Sequence, residues 1–328
     1  HQQTAQLVMH LARDARALLL AHRIHPGRQV AHLVQRGAEF GRALGHALLQ
    51  FVARLLHDMK SSTREINLSM YALQMGPPGG IVDQVVDVLC AKARSGVPVT
   101  VQLDAVGSEL TPWHAFDETS HGMVKKLRDA GVEVRVKTLT PSRTDLDDAR
   151  FAVDHRKLIE IDGRISYQGG INLVDDWASW HDMMLRAEGP AAAQAGALLA
   201  ARWTDLGGTV TQQRLAILEE GLRSPVTATT EGTRQLSNGN QHRRELTEYQ
   251  LGMIENARTS VRIANPYWSD EESMEALIDA AKRGVHVEVL MPPKAGEAAD
   301  ILAEPFRKIW AARIQEAGGH VYVLPTFS

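Results

Sequence analysis

Residues 154–172 read Asp154-His155-Arg156-Lys157-Leu158-Ile159-Glu160-Ile161-Asp162-Gly163-Arg164-Ile165-Ser166-Tyr167-Gln168-Gly169-Gly170-Ile171-Asn172. Two short apolar runs, Lys157–Ile161 and Ile165–Tyr167, flank Asp162-Gly163, a dipeptide suited to a tight hairpin turn. The stretch therefore predicts two antiparallel strands. Residues two apart on a strand face the same way, so His155 and Lys157 are expected on one face.

The residue types suit phosphoryl chemistry. A neutral imidazole is a nucleophile or proton carrier, so His155 can attack or shuttle a proton. The Lys157 ammonium suits a phosphate oxygen as a point charge. Asp162 is expected to orient the histidine or to balance local charge. Gly169 and Gly170 let backbone approach a ligand closely, and the Asn172 amide can donate to a phosphoryl oxygen. Together these groups can stabilise phosphoryl charge without a metal. A lone histidine or lysine is usually structural, but composition alone yields this whole spacing on the order of a few times per million chains of this size.

Outward from this stretch the chain alternates strands and helices, the pattern of an α/β sandwich with a mixed central sheet flanked by helices. Strands are predicted at Glu65–Tyr71, Val97–Leu103 and Val132–Val136. Helices are predicted at Ile81–Ser95, at Met123–Ala130 with its stop at Gly131, and at Ala191–Trp203. Gly221 to Asn240, rich in Ser, Thr and Gly, reads as a linker or loop. Beyond it the first half repeats. Ala281-Lys282-Arg283-Gly284-Val285 echoes Ala93-Arg94-Ser95-Gly96-Val97, and Ala317-Gly318-Gly319-His320-Val321 echoes Ala130-Gly131-Val132-Glu133-Val134. One repeat of domain length implies two similar lobes. The expected organisation is an N-terminal helical region (1–60), a first lobe (61–220), a linker (221–240) and a second lobe (241–328).

Phe40, Leu44, Leu48, Phe51 and Leu55 recur at helical spacing near the N-terminus. Through residue 57 only Asp14 and Glu39 oppose seven arginines. Such a basic amphipathic segment suits either packing on the main domain or an anionic membrane surface. No uncharged apolar run approaches the ~20 residues of a membrane helix. The chain opens on His1 rather than Met, so its native start is read as missing and a lost signal or anchor stays open. The expected location is cytoplasmic or peripheral on a membrane. A net charge of -3 and the lack of a basic-aromatic groove speak against nucleic acid as a partner. The single cysteine, Cys90, excludes an intrachain disulfide framework and a Cys-rich zinc site. No metal and no cofactor are expected.

His155-x-Lys157-x4-Asp162, followed by Gly169-Gly170-x-Asn172, resembles the H-x-K-x4-D signature of the phospholipase D superfamily, and most nearly its bacterial cardiolipin synthase-like members. Asp104-Ala105-Val106-Gly107-Ser108, Asp175-Asp176-Trp177, Trp180-His181-Asp182, Arg186-Ala187-Glu188-Gly189-Pro190 and Asn265-Pro266-Tyr267-Trp268 extend the likeness over roughly residues 60–328. Two positions depart from it: Gly170 stands where the family often has Ser, and Ser69 where many synthases carry Glu.

The resemblance implies a covalent phosphohistidine on His155, with Lys157 and Asn172 holding the nonbridging oxygens of a phospholipid substrate. An alcohol acceptor gives phosphatidyl transfer, and water gives phospholipase D or nuclease-type hydrolysis. It also implies a second H-x-K-x4-D motif, expected just beyond Ser328. Three readings of that stay open: further sequence follows, two chains pair and each supplies His155, or the second lobe has lost its site and the protein only binds membranes. His320 precedes its predicted strand and lacks the lysine spacing, so it is a weak substitute.

Overall fold

The computed structural model describes residues 50–110, 118–138, 153–175, 182–225, 245–265, 270–291 and 298–323. These fall into two compact units, one within residues 50–225 and the other within residues 245–323. Of the basic N-terminal region only residues 50–61 are described, as helix α1, which buries Leu55 and Met59 completely. Phe40, Leu44 and Leu48 lie outside the described residues, whereas Leu55 of the same apolar face is in the core of the first unit and Phe51 packs against it.

The described residues of the first unit form six strands: β1 (Ile66–Met70), β2 (Val99–Asp104), β3 (Glu133–Lys137), β4 (Lys157–Ile161), β5 (Ile165–Gly169) and β6 (Met184–Glu188). Their spatial order is β3-β2-β1-β4-β5-β6. β1, β2 and β3 run parallel, whereas β4 is antiparallel to β1 and the β4-β5-β6 ladder is antiparallel throughout. The sheet is thus mixed, with its change of direction between β1 and β4. The β4–β5 turn is the expected Asp162-Gly163, and both residues hold positive φ, 59° and 71°.

Helices cover both faces. Ile66, Leu68, Met70, Val101, Leu103, Ile159 and Ile161 alternate along their strands and form one core with α1, α2 (Ile81–Arg94) and α3 (Glu118–Asp129). Fully burying a leucine such as Leu68 or Leu89 contributes roughly 1.5–3 kcal/mol. The intervening residues are polar: Asn67, Thr100, Gln102, Glu160 and Ser166. Alternation of this kind ordinarily leaves the polar face in water, yet all five are buried. The alanine-rich α4 (Pro190–Asp205) and then α5 (Gln212–Leu222) lie over them. Small residues let α4 come close: a Cβ on Gly196 would meet Leu218 and the Glu160 side chain.

Several boundaries differ from the sequence reading. α3 begins at Glu118 rather than Met123, because its first turn is polar and shows no apolar period. The break expected from Gly221 starts later: α5 continues to Leu222, its first turn capped by the Thr211 side chain, which accepts from the Arg214 N–H at 3.2 Å. Residues 226–240 of that break lie outside the described residues.

The second unit repeats the first half of this plan. Helix α6 (Glu245–Asn256) leads into β7 (Ser260–Ala264), α7 (Glu271–Lys282), β8 (His286–Met291), α8 (Ala298–Glu316) and β9 (His320–Val323). The described strands form a parallel sheet in the order β7-β8-β9, matching α1-β1-α2-β2-α3-β3. The turn glycines correspond as well: Gly96 and Gly284 have φ of 88° and 85°, and Gly131 and Gly318 have 91° and 95°.

Candidate active site at the carboxyl ends of the parallel strands

In open α/β sheets the crevice beyond the carboxyl ends of the strands, where the strand order reverses, is the usual ligand site. Here that crevice lies past Met70 of β1, whose register partner is Lys157, the first residue of β4. His155 precedes the first residue of β4 and so stands outside the ladder. Lys157 is only 5 % exposed. Its ammonium lies 3.0 Å from His155 Nδ1 and 3.4 Å from Nε2, and it donates to the His155 carbonyl at 2.9 Å. Tyr71, just after β1, supplies the floor: its ring centroid is 4.3 Å from that of His155 and 4.9 Å from Lys157 Nζ. The sequence reading placed His155 and Lys157 together but missed Tyr71.

These contacts set the charge states. Burial, followed by the Lys157 ammonium, pulls His155 down to about 4, against the opposing pull of Asp154. Burial likewise pulls Lys157 down to about 8, opposed by Asp182 and Asp154. Near neutral pH the imidazole is therefore uncharged and the lysine mostly charged.

The backbone brings Asn172 to the same end. Residues after β1 pair with residues after β5: Leu173 N–H donates to Ala72 O at 3.1 Å, and Gln74 N–H donates to Leu173 O at 3.1 Å. Asn172 Oδ1 accepts the Ala72 N–H at 3.1 Å, leaving the amide NH2 as the group it can offer a ligand. Gly169 closes β5, and Gly170 N–H donates to Met183 O at 2.8 Å. A Cβ on Gly170 would collide with the Asp182 carboxylate, and one on Gly169 with the backbone of Met183 and Met184. The two glycines thus permit the start of β6, with Asp182, to close on the site. Asp182 was legible only as part of an acidic-aromatic stretch. Asp175 of the same stretch does different work, its carboxylate accepting the Ile81 N–H at 2.6 Å at the start of α2. Residues 176–181 lie outside the described residues.

Asp162 is not brought to His155. It follows the last residue of a five-residue strand, about 16 Å along the chain from Lys157. Its carboxylate accepts from Ser62 Oγ (2.7 Å) and from the amides of Thr63 (3.0 Å), Arg64 (2.9 Å) and Glu65 (3.0 Å). The expected contact with the histidine is replaced by a clasp between the β4–β5 turn and the segment entering β1.

His320 belongs to the second unit, where it opens β9 with its ring 5.1 Å from His286. Among the described residues no cluster of His, Cys, Asp and Glu fit to hold a metal is present, and no helix is long and apolar enough to cross a membrane. A surface cavity of about 500 Å³ lies at the other end of the sheet, lined by Arg128, Glu133, Arg135 and Trp203, and contains none of the groups above.

A family model described as cardiolipin synthase, PLD-like domain, matches residues 55–198 and 251–327. The cardiolipin synthase of Alkalihalophilus pseudofirmus is 30% identical over 253 residues, covering 73% of this chain and 46% of that protein. Cardiolipin synthase A of Yersinia pestis is 29% identical over 263 residues, covering 74% of this chain and 51% of that protein. The chain therefore spans about half the length of the curated relatives it matches. Among solved structures, Nuc from Salmonella typhimurium, a phospholipase D family member, aligns with 16% identity and a TM-score of 0.35, over 47% of this chain and 85% of that one.

Proposed function

Because the chain belongs to the phospholipase D-like family of cardiolipin synthases, we propose that it is a phosphatidyltransferase acting through His155. The observation that carries this reading is the placement of the buried Lys157 ammonium 3.0 Å from the His155 imidazole, at the crevice where the strand order reverses.

An imidazole nitrogen of His155 attacks phosphorus of a phospholipid phosphodiester. The P–N bond forms, the P–O bond to the headgroup alcohol breaks, and that oxygen takes a proton from a general acid. An acceptor alcohol then loses its proton to the same group and attacks phosphorus, expelling the imidazole, so one diester is exchanged for another. Lys157 and the Asn172 amide bind the nonbridging oxygens, where negative charge builds up in each transition state. Asp182 balances the Lys157 charge. Gly169 and Gly170 keep the β5–β6 edge tight against the site. A second histidine of the same motif type is the proposed general acid, supplied either by further sequence or by a partner copy. The basic N-terminal segment is proposed to favour an anionic membrane surface.

The test is incubation of the protein with phosphatidylglycerol vesicles, followed by lipid analysis. Cardiolipin and free glycerol are expected, with loss of both in His155→Ala and an acid-labile phosphoryl adduct on His155 in a rapid quench. Release of glycerol with phosphatidic acid and no transfer product would make the protein a hydrolase. No adduct and no turnover would overturn the catalytic reading in favour of membrane binding alone.

A further inference from the structure

We propose that Asp104, Asp154 and Arg202 act as positioning residues for His155, pinning the peptide that carries the imidazole and holding a carboxylate of fixed orientation beside it. The proposal rests on the reading of His155 as the nucleophile.

His155 lies before the first ladder residue of β4, so the sheet itself does not fix it. On its upstream side Asp154 N–H donates to Asp104 Oδ2 at 2.7 Å. Asp104, the last residue of β2, is only 2 % exposed. Its other oxygen accepts the Val106 N–H at 2.9 Å, so the turn after β2 locks the carboxylate in place. The Asp154 side chain is in turn held from α4, where Arg202 Nε donates to Oδ2 at 2.6 Å. On the downstream side Arg156 O accepts the Tyr71 N–H at 2.8 Å. The end of β2, helix α4 and the segment after β1 therefore grip the peptides on either side of His155.

The same arrangement has an electrostatic effect. Asp154 favours the protonated forms of both His155 and Lys157. Arg202, paired with that carboxylate at 2.6 Å, fixes where it stands relative to the two groups. Among the described residues, Arg156 also lies 3.5 Å from Asp154, and Asp182, just before β6, favours the charged form of Lys157. Arg202 also lies 3.9 Å from Asp205, an exposed i,i+3 contact of little consequence beside the Asp154 pair.

A merely structural Arg202–Asp154 pair would support folding without tuning the site, and titration separates the two. The side chains of His155 and Lys157 are titrated by NMR in the intact protein, with resonances assigned from His155→Gln and Lys157→Gln. Arg202→Gln should move the His155 midpoint up, and Arg202→Lys should return it close to that of the unaltered protein. Asp154→Asn should move the Lys157 midpoint down. Asp104→Asn should broaden the His155 signal, because the peptide loses its anchor. If Arg202→Gln fails to fold, Asp154→Asn decides alone. Folded variants with unmoved His155 and Lys157 midpoints would overturn the proposal. No lipid takes part in this measurement, so shifted midpoints in a protein that fails the phosphatidylglycerol assay would leave the positioning role standing and remove only the transferase reading.

Discussion

Replacing Asp162 separates support of the fold from chemistry within a single motif. Hydrogen bonds to a charged partner are worth about 1.5–3 kcal/mol each, and they are not additive around one carboxylate. Asp162 accepts four, and it is only half-buried, so water recovers part of the loss. Together they come to about 3 kcal/mol. Alanine would also have to hold φ 59°, adding about 1 kcal/mol. Asp162→Ala is therefore expected to cost about 4 kcal/mol, and Asp162→Asn, which tolerates that φ and keeps one carbonyl acceptor, about 2 kcal/mol. Urea unfolding followed by circular dichroism measures both. Burial pushes the Asp162 carboxyl up, but the Glu65 amide, the Ser62 hydroxyl and the Thr63 and Arg64 amides hold it below its ordinary value. A depressed carboxylate stabilises the fold above its unfolded-state value and loses that contribution as pH falls through its folded-state value. The gap between the unaltered protein and Asp162→Ala should therefore close in acid. In Asp162→Asn, held at a temperature where it stays folded, the phosphohistidine should form at close to the normal rate. Loss of that adduct with an unchanged unfolding midpoint would rule out a purely structural role and return Asp162 to the chemistry.

Three other outcomes follow from the site and its surroundings. The rate of phosphohistidine formation should rise through about pH 4 as His155 loses its proton and fall above about pH 8 as Lys157 loses its own; a rapid-quench pH series measures it, and a profile flat across that range would refute the assignment. Gly170→Ala should swing the Asp182 carboxylate aside, slowing adduct formation by about 10- to 100-fold with little change in thermal unfolding. Glu160 is raised by burial and then by its neighbour Glu65, so stability should decline from the ordinary carboxylate value up through the raised one; Glu160→Gln should flatten the difference between urea midpoints at about pH 6 and about pH 9.

The local pattern was legible where a single period ruled. Lys157–Ile161 was read with its observed bounds, and the positive φ of Asp162 and Gly163 agrees with their choice as a turn. The placement of Asp162 was in principle legible too, since five residues of strand separate the two ends of the motif. Motif spacing suggested proximity where strand rise dictated distance. What the sequence could not reveal were partners far apart along it. Asn67 Nδ2 donates to Glu160 Oε2 at 2.8 Å across 93 positions, and Arg202 reaches Asp154 across 48. Nor did the polar alternation of β1, β2 and β4 announce its own burial, because that depends on α4 arriving from later in the chain. Asp104 and Asp154 were visible as family-like residues, but their joint hold on His155 needs three elements in space.

The central position of β1 has a further consequence during synthesis. Its partner β2 lies about thirty residues ahead, whereas β4, which covers its other edge, is registered against it by pairs such as Ile66 with Ile161. The Ser62–Asp162 clasp closes a loop of 100 residues, and such long closures slow folding. Until β4 emerges from the ribosome, β1 presents an unpaired edge of apolar and hydrogen-bonding groups, a template for pairing with another nascent chain. The strand that later borders the proposed catalytic crevice is thus a place where an incomplete chain is open to misassembly.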